Sequence, residues 1–344
     1  MDYYSVLKRY TELPGPGGHE ERVQKEFMND LKPYTDEIEY TNIGNVVAHL
    51  PGEGRKVVIF GHADEIGYFV RSITEDGFLR LSRGRIGRIG YPYSLVGQKA
   101  LVVGDEGDIR GVFISTAGHV LSEKEREAPL EVEKVFVDIG AASKEEAEEK
   151  GIHPGTPIIW NPETERMGDR VFGKAMDDRF TYPVMLGLAE SIKGKDLTCD
   201  LYLASTILEE YGLRGASNLA HMGFDVSIAL DIGIAGDYPS VPKGRMPVKL
   251  GKGPVMAYRD GAIIYNVKTI RELVATAERN GIPYQQAVFE HYGSDSVAMI
   301  AGGARPCLVA TPTRYSHSPF EMMDLGDIEQ TVKLLSHYVT EEQG

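Results

Sequence analysis

Five short stretches of the chain concentrate side chains able to hold a metal ion or move a proton. They are Gly61-His62-Ala63-Asp64-Glu65, Gly173-Lys174-Ala175-Met176-Asp177-Asp178-Arg179, Leu208-Glu209-Glu210, Asp231 after an apolar run, and Tyr315-Ser316-His317-Ser318. Two imidazoles with several carboxylates suit borderline first-row divalent cations, zinc or cobalt above all, rather than an all-oxygen calcium or magnesium cage. If two such cations bind, Asp177, Glu210 and Asp231 balance most of their charge and leave a site able to hold hydroxide. A pair of this kind lowers the pKa of bound water toward neutrality and polarises a carbonyl, so hydrolysis is its natural chemistry. The adjacent Glu209 and Glu210 fit that scheme, because one can coordinate while its neighbour carries a proton from the water to a leaving amine. Asp64, two residues past His62, lies on the same side of an extended chain and is placed to accept the ring N–H and fix its tautomer. Asp177 has a competing reading as the cap of a following helix. Asp178 is read as that cap or as a structural partner.

These side chains need a scaffold. Short apolar runs bounded by turn residues recur at 57–60, 201–207, 226–230 and 307–310, as expected of strands buried on both faces. Each runs into one of the His or carboxylate segments, and ligands in open α/β sheets collect beyond the carboxyl ends of strands. Helical spacing recurs at 3–13, 20–31, 179–192, 213–221, 269–280, 294–301 and 325–340. The alternation of strand and helix predicts an α/β fold, a doubly wound mixed sheet with helices on both faces. Pro14-Gly15-Pro16-Gly17-Gly18 separates the first two helices. It reads as a plain loop, since a dinucleotide fingerprint needs a strand before it.

Residues 67–165 follow another grammar, with short alternating segments at 67–73, 78–82, 99–103, 108–114 and 133–138. One helix interrupts them, starting at Ser143 with Glu146 at capping-box spacing and ending at Gly151. The reading is a small β-rich domain, 67–165, inserted into a catalytic α/β domain formed by 1–66 and 166–344.

At Gly61-His62-Ala63-Asp64-Glu65-Ile66-Gly67, Gly173 to Arg179, Glu209-Glu210-Tyr211-Gly212-Leu213-Arg214-Gly215-Ala216, Ala229-Leu230-Asp231-Ile232 and Tyr315 to Ser318 the sequence resembles the tetrahedral (TET) metallo-aminopeptidases, peptidase family forty-two. The likeness runs in order over nearly the whole chain. It implies His62 and Asp231 with one metal, Glu210 and His317 with the other, and Asp177 bridging both. It also implies Glu209 as general acid/base and Asp64 as support for His62. The inserted region resembles the family's small PDZ-like dimerisation domain, and the resemblance implies dimers assembling into a hollow tetrahedral dodecamer. Two departures bear on the substrate pocket: Tyr211 follows the glutamates where a smaller apolar residue is common, and Ser294 and Ser296 flank Asp295 where Thr and Ala are frequent.

Composition limits the alternatives. With 344 residues, 42% hydrophobic and 26% charged, the chain is of ordinary globular character, and no apolar stretch approaches membrane-span length. Lys plus Arg is 37 against 51 Asp plus Glu, a net charge of −14 that repels phosphate backbones and argues against nucleic acid as a partner. The start Met1-Asp2-Tyr3-Tyr4 lacks a secretory pattern, and Cys199 and Cys307 alone provide no disulfide framework, so a reducing cytoplasm is expected. The other histidines read as surface or packing residues, and His119, after Ser115-Thr116-Ala117-Gly118, is the one among them with an alternative reading, that of reaching a partner subunit's active site. Arg80, Arg83, Arg85 and Arg88 form a local basic run suited to an oligomer contact or to attracting acidic substrate. The function expected is a two-metal aminopeptidase trimming short peptides. A glycoside hydrolase with carboxyl groups ~5–9.5 Å apart is opposed by the histidines, and a peptide-binding scaffold has no use for an uncoordinated Glu209.

Overall fold

The structure, a computed structural model, describes residues 1–82 and 94–343. They divide into two units, Met1–Glu65 with Thr164–Ser316 and Glu321–Gly344, and Ile66–Glu163 with His317–Phe320. The first unit begins with α1 (Tyr3–Glu12), α2 (Glu21–Leu31), β1 (Ile38–Tyr40), β2 (Val46–Leu50) and β3 (Lys56–His62). The second holds β4 (Tyr68–Ile73), β5 (Leu79–Leu81), β6 (Lys99–Gly104), β7 (Gly107–Ile114), α3 (Glu123–Glu127), β8 (Phe136–Asp138), α4 (Lys144–Glu149) and β9 (Pro157–Trp160). The first resumes with β10 (Glu165–Met167), β11 (Arg170–Gly173), α5 (Met176–Arg179), α6 (Thr181–Ile192), β12 (Asp200–Thr206) and α7 (Arg214–Leu219). It ends with β13 (Val226–Ile234), β14 (Val255–Arg259), α8 (Val267–Arg279), β15 (Gln285–Val288), β16 (Arg305–Thr313), β17 (Glu321–Asp324) and α9 (Leu325–Thr340).

The first unit is mixed α/β. Its eight-stranded sheet has the order β1-β2-β12-β3-β13-β16-β14-β15, and β12, β3, β13 and β16 run parallel at its centre. The apolar runs read from the sequence become these four strands, because residues buried on both faces have no polar side to alternate with. From β3 the chain proceeds to β12 on one side and then crosses to β13 on the other. The order therefore reverses at β3, and a crevice opens beyond strand carboxyl ends at such a reversal. The edge additions β2 and β14 pair antiparallel with β12 and β16. Helix α6, with ten buried residues of its twelve, is wrapped on nearly all sides. A separate sheet, β10-β11-β17, carries Gly173 into the Asp177 segment.

In the second unit β4-β5-β8-β7-β6-β9 closes into a barrel. Val102, Phe113, Val137 and Ile158 fill it with no exposed surface, and Phe113 meets Tyr68 edge-on at 6.1 Å. The expected helix after Ser143 is present, with Ser143 Oγ accepting from the Glu146 amide at 3.2 Å. Glu146 departs from the box by accepting from the Ala142 amide instead of that of Ser143. A complete capping box occurs at Ser122 and Glu125, whose S-x-x-E spacing the sequence reading passed over. Arg80 lies over the Phe136 ring at 4.8 Å; Arg83, Arg85 and Arg88 of the basic run fall outside the described residues. Among the described residues no helix is long and apolar enough to cross a membrane.

Candidate metal centre

His62 is the last residue of β3 and is 2% exposed. Its Nδ1 lies 3.0 Å from the backbone oxygen of Asp64, so the ring hydrogen goes there, and the ring in its neutral form presents a lone pair at Nε2. That lone pair faces Asp177 Oδ1 at 3.1 Å. Two acceptors so close need a proton or a cation between them. One ligand atom each from His62, Asp177 and Asp231 falls within a 4.8 Å span, and the 3.1 Å spacing is near the ~3.3 Å separating neighbouring ligands of a tetrahedral zinc ion. An imidazole nitrogen with buried carboxylate oxygens is a donor set that fits a first-row cation. Carboxylate atoms of Asp177 and Glu210 also approach within 4.8 Å of one another, so Asp177 is common to both groups.

The supporting loops explain how these residues are held. Asp177 and Asp178 are joined by a cis peptide bond after Ala175 in the left-handed region at φ 53°. The Asp177 amide donates to Glu321 Oε2 at 3.0 Å. Asp178 does not cap the following helix: its Oδ2 accepts from the His62 amide at 3.0 Å, and α6 has no side-chain cap. A Cβ on residue 61 would come 2.6 Å from that oxygen, so Gly61 is what admits the bond. Asp231, expected just past its strand, lies within β13, which continues to Ile234, and its Oδ1 accepts from the Ile232 amide at 2.7 Å.

Glu209 and Glu210 sit in the turn after β12. The Glu209 carboxylate, 11% exposed, approaches His62 Nε2 at 3.9 Å. The oxygens of Asp64 accept from the Glu209 and Glu210 amides, each at 3.0 Å, and Asp64 Oδ1 stands 3.4 Å from His62 Nδ1. Glu20 accepts from the Leu208 amide at 3.2 Å, so carboxylates hold three successive amides of this turn. His317 follows β16 on a loop with left-handed backbone at Tyr315 and His317, φ 62° and 59°. It is grouped with the barrel unit. His119 is exposed on that same unit.

The electrostatics reflect carboxylates crowded together around one imidazole. Burial pushes Asp231 well above the usual carboxylate range, with Asp177 adding to the rise. Burial does the same to Glu209, reinforced by Glu210, and to Asp178, reinforced by Asp231 and Asp177. Burial acts to lower His62, but hydrogen bonds from the ring to Asp177 and Asp64 outweigh it and raise the ring well above 6.5, so that a proton takes the place between Nε2 and Asp177 that a cation would fill. Upward carboxylate shifts gathered in one crevice are a mark of functional sites. Asp178 has the structural-partner role expected of it, whereas nothing in the sequence gives Glu20 or Glu321 a place in the site. Glu20 precedes a helix, Glu321 opens an unforeseen strand, and neither location signals the partner it finds.

The sheet reversal and the imidazole–carboxylate cluster suit a metal-dependent hydrolase, and comparison with known proteins gives the class, a metal-dependent aminopeptidase. The chain belongs to the M42 glutamyl aminopeptidase family, whose sequence profile matches residues 44–334. It is 32% identical to the lysyl aminopeptidase of Pyrococcus furiosus over 339 residues, covering 96% of this chain and 95% of that one. The aminopeptidase APDkam598 of Desulfurococcus kamchatkensis superposes with a TM-score of 0.91 at 33% identity, over 99% of this chain and 95% of that chain. The TET1 peptidase of Pyrococcus horikoshii, described as assembling into a tetrahedron or a large octahedral shell, superposes with a TM-score of 0.89 at 31% identity, over 99% of this chain and all of that one.

Proposed function

We propose that this protein removes single residues from the free amino end of short peptides at a site for two divalent cations, zinc or cobalt. The observation that carries the reading is the His62 Nε2 lone pair set against Asp177, with Asp231 in the same cluster. His62 and Asp231 would hold one cation and Glu210 and His317 the other, with Asp177 shared by both. Bound there, the cations supply an activated water and polarise the scissile carbonyl. Glu209 takes the proton and delivers it to the leaving amine; its approach to His62 and its raised affinity for protons support that role. Asp64 holds both the His62 ring and the turn bearing Glu209 and Glu210.

The barrel is proposed as the PDZ-like dimerisation domain of a homo-oligomer built from dimers up to a tetrahedral dodecamer. Free, buried Cys199 and Cys307, their thiols pushed up to about 12 by burial, support a reducing cytoplasmic setting. The test is release of amino acids from short peptides by protein stripped of metal and reloaded with zinc or cobalt. The expected result is activity restored in step with about two cations per chain and abolished by chelator. Chelator-insensitive turnover, or peptide binding without turnover, would overturn the proposal.

A further inference from the structure

Arg179 is completely buried, and its position beside Asp177 and Asp178 is not used by the chemistry above. Its Nη1 donates to the carbonyls of Tyr10 at 2.8 Å and Leu13 at 3.1 Å, and Nη2 donates to that of Gly15 at 3.3 Å. Nη2 also stands 3.6 Å from Glu65 Oε1. Lys174, 1% exposed, donates to both oxygens of the same glutamate at 2.8 and 2.7 Å. Gly15 closes the set, its amide donating to Glu65 Oε1 at 3.1 Å and its carbonyl accepting from the Glu65 amide at 3.0 Å.

Two buried cations thus share one buried carboxylate. Such groups are poor stabilisers, because desolvation consumes most of the attraction, and their best-attested use is to fix one arrangement over others. The arrangement fixed here is specific. Glu65 stands three residues after His62, while Lys174 and Arg179 bracket Asp177 from three residues before and two after. The ion cluster therefore ties together the two segments that supply the first pair of ligand atoms. The glycine-rich loop has a physical reason in the same place. A Cβ at residue 15 would lie 2.5 Å from Arg179 Nη2 and 2.8 Å from Val23 Cγ2, so glycine is what lets the loop carbonyls close over the guanidinium. A turn whose composition suggests a phosphate cradle is built as a carbonyl cradle for an internal arginine.

We propose that Glu65, Lys174, Arg179 and Gly15 form a positioning clamp that sets the separation of His62 from Asp177 and thereby the affinity of the site for its cation. This rests on the metal-centre reading given above. The experiment uses the full chain, stripped of metal, with zinc affinity measured by competition against a chromophoric chelator and thermal unfolding of the metal-free protein followed separately. Glu65→Gln is expected to weaken zinc binding about 10- to 100-fold, the scale seen when outer supports of metal ligands are removed. Gly15→Ala, a milder disturbance of the same clamp, is expected to weaken it in the same direction and serves if the first variant does not fold. Leu273→Ala, in the core of α8, should lower the unfolding temperature and leave zinc affinity unchanged. Wild-type zinc affinity in both clamp variants, or an equal loss in Leu273→Ala, overturns the clamp while leaving the metal centre intact. Absence of zinc uptake by the unaltered protein overturns the metal centre itself, and the clamp with it.

Discussion

Carboxylates at the carboxyl edge of the large sheet respond in the opposite way to those at helix starts in the barrel unit. At the carboxyl edge of the large sheet, burial and neighbouring negative charge push Asp231 and Glu209 up. In the barrel unit Glu125 is lowered by hydrogen bonds from the Ser122 hydroxyl and amide, and Glu146 by the Ala142 amide and by Lys150. The residue types match; the surroundings do not. Glu125 and Glu146 sit in water at helix starts, where free N–H groups favour the charged form. Asp231 and Glu209 have been taken out of water beside one another, an arrangement that only a shared cation or proton makes tolerable. The contrast separates acids that cap local structure from acids assembled for chemistry.

Three substitutions bear on that contrast. Glu209→Gln keeps the shape and removes the proposed proton carrier, so kcat should fall about 10²- to 10⁴-fold with metal content unchanged; steady-state kinetics beside metal analysis decide it, and near-normal turnover would return Glu209 to a structural role. Asp64→Asn retains only one acceptor oxygen for the Glu209 and Glu210 amides, leaving one partly buried N–H without its partner. A fall in kcat/KM of roughly 10- to 100-fold is expected, and an unaltered value would detach Asp64 from the catalytic turn.

The smallest effect is expected in the barrel. Ser122→Ala removes the hydroxyl that lowers Glu125, so the carboxyl should titrate nearer its ordinary 4.5. A depressed folded pKa contributes stability above the unfolded value that is lost as pH falls through the folded one, and the variant should therefore lose the acid-side fraying of α3 that depends on this bond. Titration followed by NMR would show it. An unshifted Glu125 would mean that local capping is not what sets acids in this unit.

The gathering of the candidate ligands was legible because His and carboxylate residues follow apolar strand runs here. His62 after 57–60 and Glu209 after 201–207 could be placed on one sheet edge without coordinates, since parallel strands deliver their carboxyl ends to the same side. Asp64 shows where that logic ends. Two-residue spacing pointed it at the His62 ring, yet its oxygens also accept amides 145 and 146 residues away, and no local pattern encodes such partners. Likewise β2, β14 and β9 were missed, since a four- or five-residue strand becomes identifiable only when a neighbour supplies its hydrogen bonds. The loop at 14–18 was read correctly as a loop, but its composition gave no sign of Arg179.

By itself the sequence determined the alternation of buried strand and helix, the acidic surface charge and the identity of the groups able to bind a cation, because these follow from residue type and short-range periodicity. Only the tertiary structure decided that His62 turns its lone pair toward Asp177, that Asp178 serves a strand end instead of a helix, and that Glu65 lies between two buried cations. Those pairings join residues more than a hundred positions apart, where chain connectivity carries no information and packing alone selects the partner.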